Sequence, residues 1–233
     1  MSSLLETTRQ ALGLLLGGDP DLWQIVGISF TVSGLALAIC WLPALLLGFA
    51  LAYLPLPARW LWLTLLHTLQ SIPTVVIGLL LYMLLSRSGP QGDWQWLFTQ
   101  QGMIAGQVLI GFPVVAAMSH ATFQHSDRRA FETALTLSGS RLRALRQVCH
   151  ECRFGLLAAG VTAFSRIVTE VGCATLVGGN ILYFTRNITT AIALETQKGA
   201  FTQGIALGMV LLALALLLNL LLALLQGRAF LRS

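Results

Sequence analysis

Apolar residues run along this chain in five long blocks, at 22–53, 60–85, 103–121, 154–177 and 201–225, separated by stretches where proline, glycine and charge gather. Each block supplies the roughly 20 mostly apolar residues that a helix needs to cross the hydrocarbon core of a bilayer. The pattern therefore predicts an all-α integral membrane protein of five transmembrane helices. The first block is longer than one crossing needs, so it predicts a helix that tilts or bends near Pro43. Pro73 and Pro113 also fall inside blocks, and each removes a backbone hydrogen bond that neighbouring helices or water must repair, so three bent spans are expected. The gap at 178–200, "GGNILYFTRNITTAIALETQKGA", is too polar to cross and too apolar for a free loop. It is expected to lie at the interface or to dip back against protein.

Ahead of the first block, Leu4, Leu5, Thr8, Ala11, Leu12 and Leu15 recur at helical spacing, and Glu6 stands where a secretory signal would carry basic residues. Residues 1–20 are thus expected as an amphipathic interfacial segment, and residues 21–227 as the transmembrane domain.

Composition agrees with the blocks. Only 10% of residues are charged and mean hydropathy is +0.78, where soluble domains carry about a quarter charged residues. The net charge of +5 is explained by where the cations fall. Arg128, Arg129, Arg141, Arg143, Arg146 and Arg153 follow the third block, and alternation of spans puts Arg59, Arg228 and Arg232 on the same side. The other side has Arg9, Arg87, Arg186 and Lys198 with Asp19, Asp21 and Asp93. The positive-inside rule makes the arginine-rich side cytoplasmic, with the N-terminus outside and the C-terminus inside. Basicity then needs no nucleic-acid partner.

Two charges interrupt the fourth block, Arg166 and Glu170. Either costs at least about 2.5 kcal/mol at mid-membrane, so neither is expected to face lipid. Spaced i and i+4 on one helix, they are expected to pair. Such a pair either locks helices together or stands beside a translocation path. Gly155, Gly160, Gly172, Gly178 and Gly179 along the same stretch permit close helix packing.

Between the third and fourth blocks, at about 122–153, lies a charged segment whose Ala134, Leu137, Leu142 and Leu145 keep helical periodicity. That pattern suits a helix held by another protein, or one packed on the chain's own spans. Here "FETALTLSGSRLRALRQV" resembles the coupling motif of permease subunits of binding-protein-dependent ABC importers. The usual form is Glu-Ala-Ala, a glycine six residues after the Glu, then an isoleucine and Leu-Pro. Glu132 and Ala134 match the opening and Val148 takes the isoleucine place. Thr133 replaces an alanine, Ser138 replaces the glycine with Gly139 one place late, and His150 and Glu151 stand where Leu-Pro is common.

The following stretch, through "SRIVTEVGCATLVGGNILYFTRNITTAIALET", is similar to the oxyanion branch of these permeases and looks most like tungstate permeases. The resemblance covers residues 25–225 and is strongest over 132–198. It implies a type I importer permease fold in the cell inner membrane, a homodimer, a pair of cytoplasmic ATPase subunits and an extracytoplasmic oxyanion-binding protein. By the same resemblance Glu132, Ala134, Gly139, Arg141 and Arg143 would couple to the ATPase. Arg166, Glu170, Gly172, Gly178, Gly179, Asn180, Thr185, Thr189 and Thr190 would line a path or gate. The cargo the resemblance implies is tungstate, carried into the cytoplasm; the alternatives are molybdate or sulfate, or a structural membrane subunit without transport of its own.

No GxxxxGK[ST] occurs, so ATP and its Mg are expected on the partner ATPase and no cofactor on this chain. No HExxH or nucleophile-and-base arrangement occurs, so no catalysis is expected here. Cys149 and Cys152 form a CxxC with no second ligand pair at zinc spacing, and no metal is expected. Cys40 and Cys173 lie in apolar runs where cysteine acts as a small hydrophobe.

Overall fold

The computed structural model describes residues 9–10, 12–13, 16–126 and 128–230. Most of the amphipathic segment expected at 1–20 lies outside the described residues. Among those described the secondary structure is helical, without strands.

Helix α1 (Pro20–Tyr53) starts where Asp19 accepts from the Asp21 and Leu22 amides at 3.0 and 3.2 Å, with Pro20 in the first turn. At 34 residues it is about 50 Å long, and it runs unbroken through Pro43. The second block, expected to bend at Pro73, is a sharply bent pair of helices. It is α2 (Arg59–Ser71) and α3 (Thr74–Leu85), which meet at 93°. Ile72 is extended and Pro73 stands just before α3, because the proline ring disfavours helical backbone in the residue before it.

Helix α4 (Gln100–Gln124) contains Pro113 without a break and forms the centre of the bundle, packing on α1, α2 and α3. Its approach to α1 is set by Gly48, where a Cβ would sit 2.9 Å from the Ala116 carbonyl oxygen and the His120 nitrogen. Beyond α4 come α5 (Arg128–Ser138) and α6 (Arg141–Glu151), which occupy the charged segment. The fourth block is again two helices, α7 (Arg153–Val168) and α8 (Gly172–Gly178), bent by 58°. The gap at 178–200 is a polar loop and α9 (Ile188–Gln197), packed on α1 and on the last helix, α10 (Phe201–Phe230). The five expected spans are thus three unbroken helices and two bent pairs.

The loops sort to two ends. At the arginine-rich end, Tyr53 shares a 2.6 Å hydrogen bond with Ser126, and Arg59 lies 2.8 Å from His120. At the opposite end the Tyr183 hydroxyl donates to Asp21 at 3.0 Å, and Gln100 donates to the Phe184 carbonyl at 2.8 Å. The start of α10 packs beside the start of α1 through Ala206, Leu207, Leu22 and Ile25, which sends the end of α10 to the arginine-rich end. Outward leucines such as Leu80, Leu212 and Leu216 leave much of α3 and α10 apolar and uncovered. A surface of that kind is compatible with lipid and not with water.

Candidate functional site

The fourth span breaks because side chains there outcompete the continuing helix. Thr169 closes the end of α7, its hydroxyl donating to the Ser165 carbonyl at 2.8 Å. Glu170 then turns its carboxylate toward α8: Oε1 accepts from the Cys173 amide at 2.7 Å and Oε2 from the Ala174 amide at 2.9 Å. Glu170 is 1% exposed. Burying a carboxylate costs several kcal/mol, and two charge-assisted bonds to the positive end of a helix offset part of that.

This corrects the expectation of an Arg166–Glu170 pair. The i and i+4 relation holds only within a continuous helix, and α7 ends at Val168 between the two residues. Arg166 is exposed on the last turn of α7; its carbonyl accepts from the Thr169 hydroxyl at 3.4 Å, and its guanidinium makes no hydrogen bond or ion pair among the described residues.

The remaining expected path residues surround α8 and the loop after it. Gly172 opens α8 against Thr74 and Val75 of α3, Gly178 closes it against Met103, and Gly179 caps it. Thr185 donates to the Gly178 carbonyl at 2.5 Å and accepts from the Ile181 amide at 2.9 Å. Asn180 donates to the Thr190 carbonyl at 3.3 Å and accepts from Arg186 Nε at 3.2 Å. Thr189 reaches back to the Glu170 carbonyl at 2.7 Å, and Thr190 completes a capping box with Asn187 at the start of α9. Thr185, Thr189 and Thr190 are buried. Their hydroxyls, expected to line a path or gate, are directed to the chain's own acceptors and hold the loop, α8 and α9 as one frame.

Three contributors to this frame were not singled out from the sequence. Asn187 caps α9, Arg186 clamps Asn180, and Ser29 on α1 accepts from the Ile188 amide at 2.7 Å. The Asn-Ile-Thr-Thr run carries the signal for the first, since asparagine is a favoured N-cap.

At the arginine-rich end, α5 stops where Gly139 adopts φ +61° and its amide donates to the Leu135 carbonyl at 2.9 Å. That left-handed turn suits glycine, which has no Cβ to clash. Glu132, Arg141 and Arg143 are exposed, and the side chain of Ala134 lies outside the description. Phe131 is buried between Phe49, Tyr53 and Phe123, with ring centroids 4.5 to 5.6 Å from the first two. Ala144 and Val148 on α6 join the same cluster. One face of the segment therefore packs on its own spans, and Leu142, 75% exposed, points away from them.

Cys149 and Cys152 are free thiols at this end, half-buried. Burial pushes both up from the usual thiol range, with Cys152 adding to the rise at Cys149 and a Ser126 hydrogen bond partly opposing it at Cys152. Among the described residues, His, Cys, Asp and Glu form no group that could hold a metal.

Lipid-compatible helices, spans broken at 72–73 and 169–171 and an anchored helix pair presenting charge at the arginine-rich end describe an integral membrane protein. The chain belongs to the family of binding-protein-dependent transport system inner membrane components, whose model matches residues 44–230. It is similar to the tungstate uptake system permease protein TupB of Campylobacter jejuni, 37% identical over 211 residues that cover 91% of this chain and 88% of that one. To TupB of Peptoclostridium acidaminophilum it is 34% identical over 219 residues, 94% of this chain and 96% of the relative. The molybdenum transport system permease protein ModB of Escherichia coli is 27% identical over 208 residues, 85% of this chain and 90% of that protein.

Proposed function

We propose that this chain is the membrane-spanning permease of an ABC importer that carries tungstate into the cytoplasm. The observation that carries the reading is the similarity to two tungstate permeases along about nine tenths of the chain, at higher identity than to the molybdenum permease. The N-terminus is outside and the C-terminus cytoplasmic, following the distribution of arginine. Two copies form the path, a binding protein delivers the anion at the outer end, and an ATPase pair carrying ATP and Mg docks on the inner end.

In this reading α5 and α6 receive the ATPase through Glu132, Ala134, Gly139, Arg141 and Arg143. Only Cys152 separates α6 from α7, so displacement of the docked pair passes into α7, a rod of about 24 Å. The rod ends at the 169–171 break. There Glu170 hands the motion to α8, and the frame of Gly172, Gly178, Gly179, Asn180, Thr185, Thr189 and Thr190 moves with it as the outer gate. Arg166, at the same break, offers a cation to the passing dianion.

The test is ATP hydrolysis and uptake by the permease reconstituted in liposomes with its ATPase and binding protein, with tungstate, molybdate or sulfate. Stimulation by tungstate above the other two is the expected result. Preference for molybdate or sulfate would replace the cargo, and response to none would leave a structural membrane subunit.

A further inference from the structure

A hollow of about 330 Å³ lies between the outer half of α7 and the middle of α10. Apolar walls from Val168, Leu211, Ala215 and Leu218 surround four polar side chains, Ser165, Arg166, Asn219 and Thr169, the last of which already gives its hydroxyl hydrogen to the Ser165 carbonyl. The Arg166 guanidinium has no partner among the described residues. The Ser165 hydroxyl oxygen is buried without a hydrogen-bond partner. Asn219 uses one amide hydrogen on the Ala215 carbonyl at 2.8 Å, which leaves a second hydrogen to give.

Arg166 is the one arginine or lysine away from the ends of the spans, and Glu170 the one acid within them. Glu170 is buried with both oxygens engaged by α8. A second copy of the chain brings no additional kind of carboxylate to this depth, so assembly by itself does not neutralise the guanidinium. A charge at this depth does not stay against lipid. What remains as counter-charge is a mobile anion. A tetrahedral oxyanion accepts a forked pair of bonds from arginine and single bonds from a hydroxyl and an amide on its other oxygens, and the hollow has room for it with some of its water.

We propose that Ser165, Arg166 and Asn219 form a resting site for a tetrahedral oxyanion dianion within the membrane, a step in transit beyond the binding protein. The site rests on the importer reading and adds to it two residues, Ser165 and Asn219. Three donors with one cation against a doubly charged ion make the site retentive enough to select, yet its single positive charge leaves the anion free to move on.

The test is equilibrium dialysis of the purified permease–ATPase complex, without binding protein, against sodium tungstate, with bound metal counted by mass spectrometry. Wild type is expected to retain tungstate saturably, and Arg166→Gln to lose retention. Arg166→Lys should keep part of it, because the point charge survives and the fork does not. Asn219→Leu is the decisive variant, since leucine suits a membrane helix and leaves folding intact; at least a tenfold weaker retention is expected, with Ser165→Ala weaker by a smaller factor. Wild-type retention in Asn219→Leu together with a lowered melting temperature would assign Asn219 to helix packing and overturn the site. Uptake in liposomes by a wild-type complex that retains no tungstate in dialysis would also overturn it while leaving the importer reading standing. Absence of tungstate uptake in wild type would remove the reading itself.

Discussion

Glu170→Gln preserves the shape of the side chain that holds Cys173 and Ala174 by their amides but replaces one acceptor by a donor facing an N–H. One cap bond is lost, at a cost of about 1–3 kcal/mol for a buried group left unpaired. The expected outcome is a lower melting temperature in detergent and slower tungstate uptake, with ATPase assembly unchanged. A second prediction concerns Cys149 and Cys152. Only the thiolate is nucleophilic, and burial shifts both thiols upward. Alkylation by a maleimide should therefore be slow at neutral pH, and its rate should continue to climb at pH values where an ordinary exposed thiol has already levelled off.

Among the elements, α5 and α6 are held to the bundle by Phe131, Ala144 and Val148 and joined to each other by the turn at Gly139. Gly139→Ala places a Cβ at φ +61°, which costs about 1–2 kcal/mol and frays the junction on which the docking surface relies. The expected result is more ATP hydrolysed per tungstate imported, with the permease still folded. The spans themselves were legible in the sequence: hydropathy located the five blocks, and their ends fall close to Tyr53, Leu85 and Gln124. What it did not show is that two of them are broken. At Pro73 the local rule against helix before proline was present, yet Pro43 and Pro113 obey the opposite outcome inside α1 and α4, since packing decides which proline a helix survives. At 169–171 the break depends on Glu170 capping α8 rather than facing Arg166, a choice invisible to spacing. The frame residues were readable as polar and clustered, but their roles were not, because acceptors such as Ser29 lie far along the chain from Ile188. The amphipathic pattern of the charged segment was legible too, although it is Phe131, Ala144 and Val148 that are buried.

For the molecule as a whole, the two ends must lie on opposite sides of the bilayer. Leu142, projecting from α6 at the arginine-rich end, provides the probe. With the four native cysteines replaced by serine, Leu142→Cys should react with a membrane-impermeant maleimide in inside-out vesicles and remain unlabelled in right-side-out ones, whereas Ser88→Cys should show the reverse. Labelling of both from one side would break the assignment of ends. Transport then requires that force applied at Leu142's end be felt at Ser88's, and the single connecting residue between α6 and α7 leaves little slack in between.

Helix α8 has only seven residues, a length that by itself would fray quickly in water. Yet it is clamped at one end by Glu170 and at the other by Thr185 on the Gly178 carbonyl. The amide protons of Cys173 and Ala174 should consequently trade with deuterium as slowly as those of the long helices while the transporter rests. If Glu170 keeps its hold while α8 moves, as the proposed cycle has it, the same two amides should stay protected during ATP turnover; fast deuterium uptake there, read by mass spectrometry, would show that the clamp lets go instead.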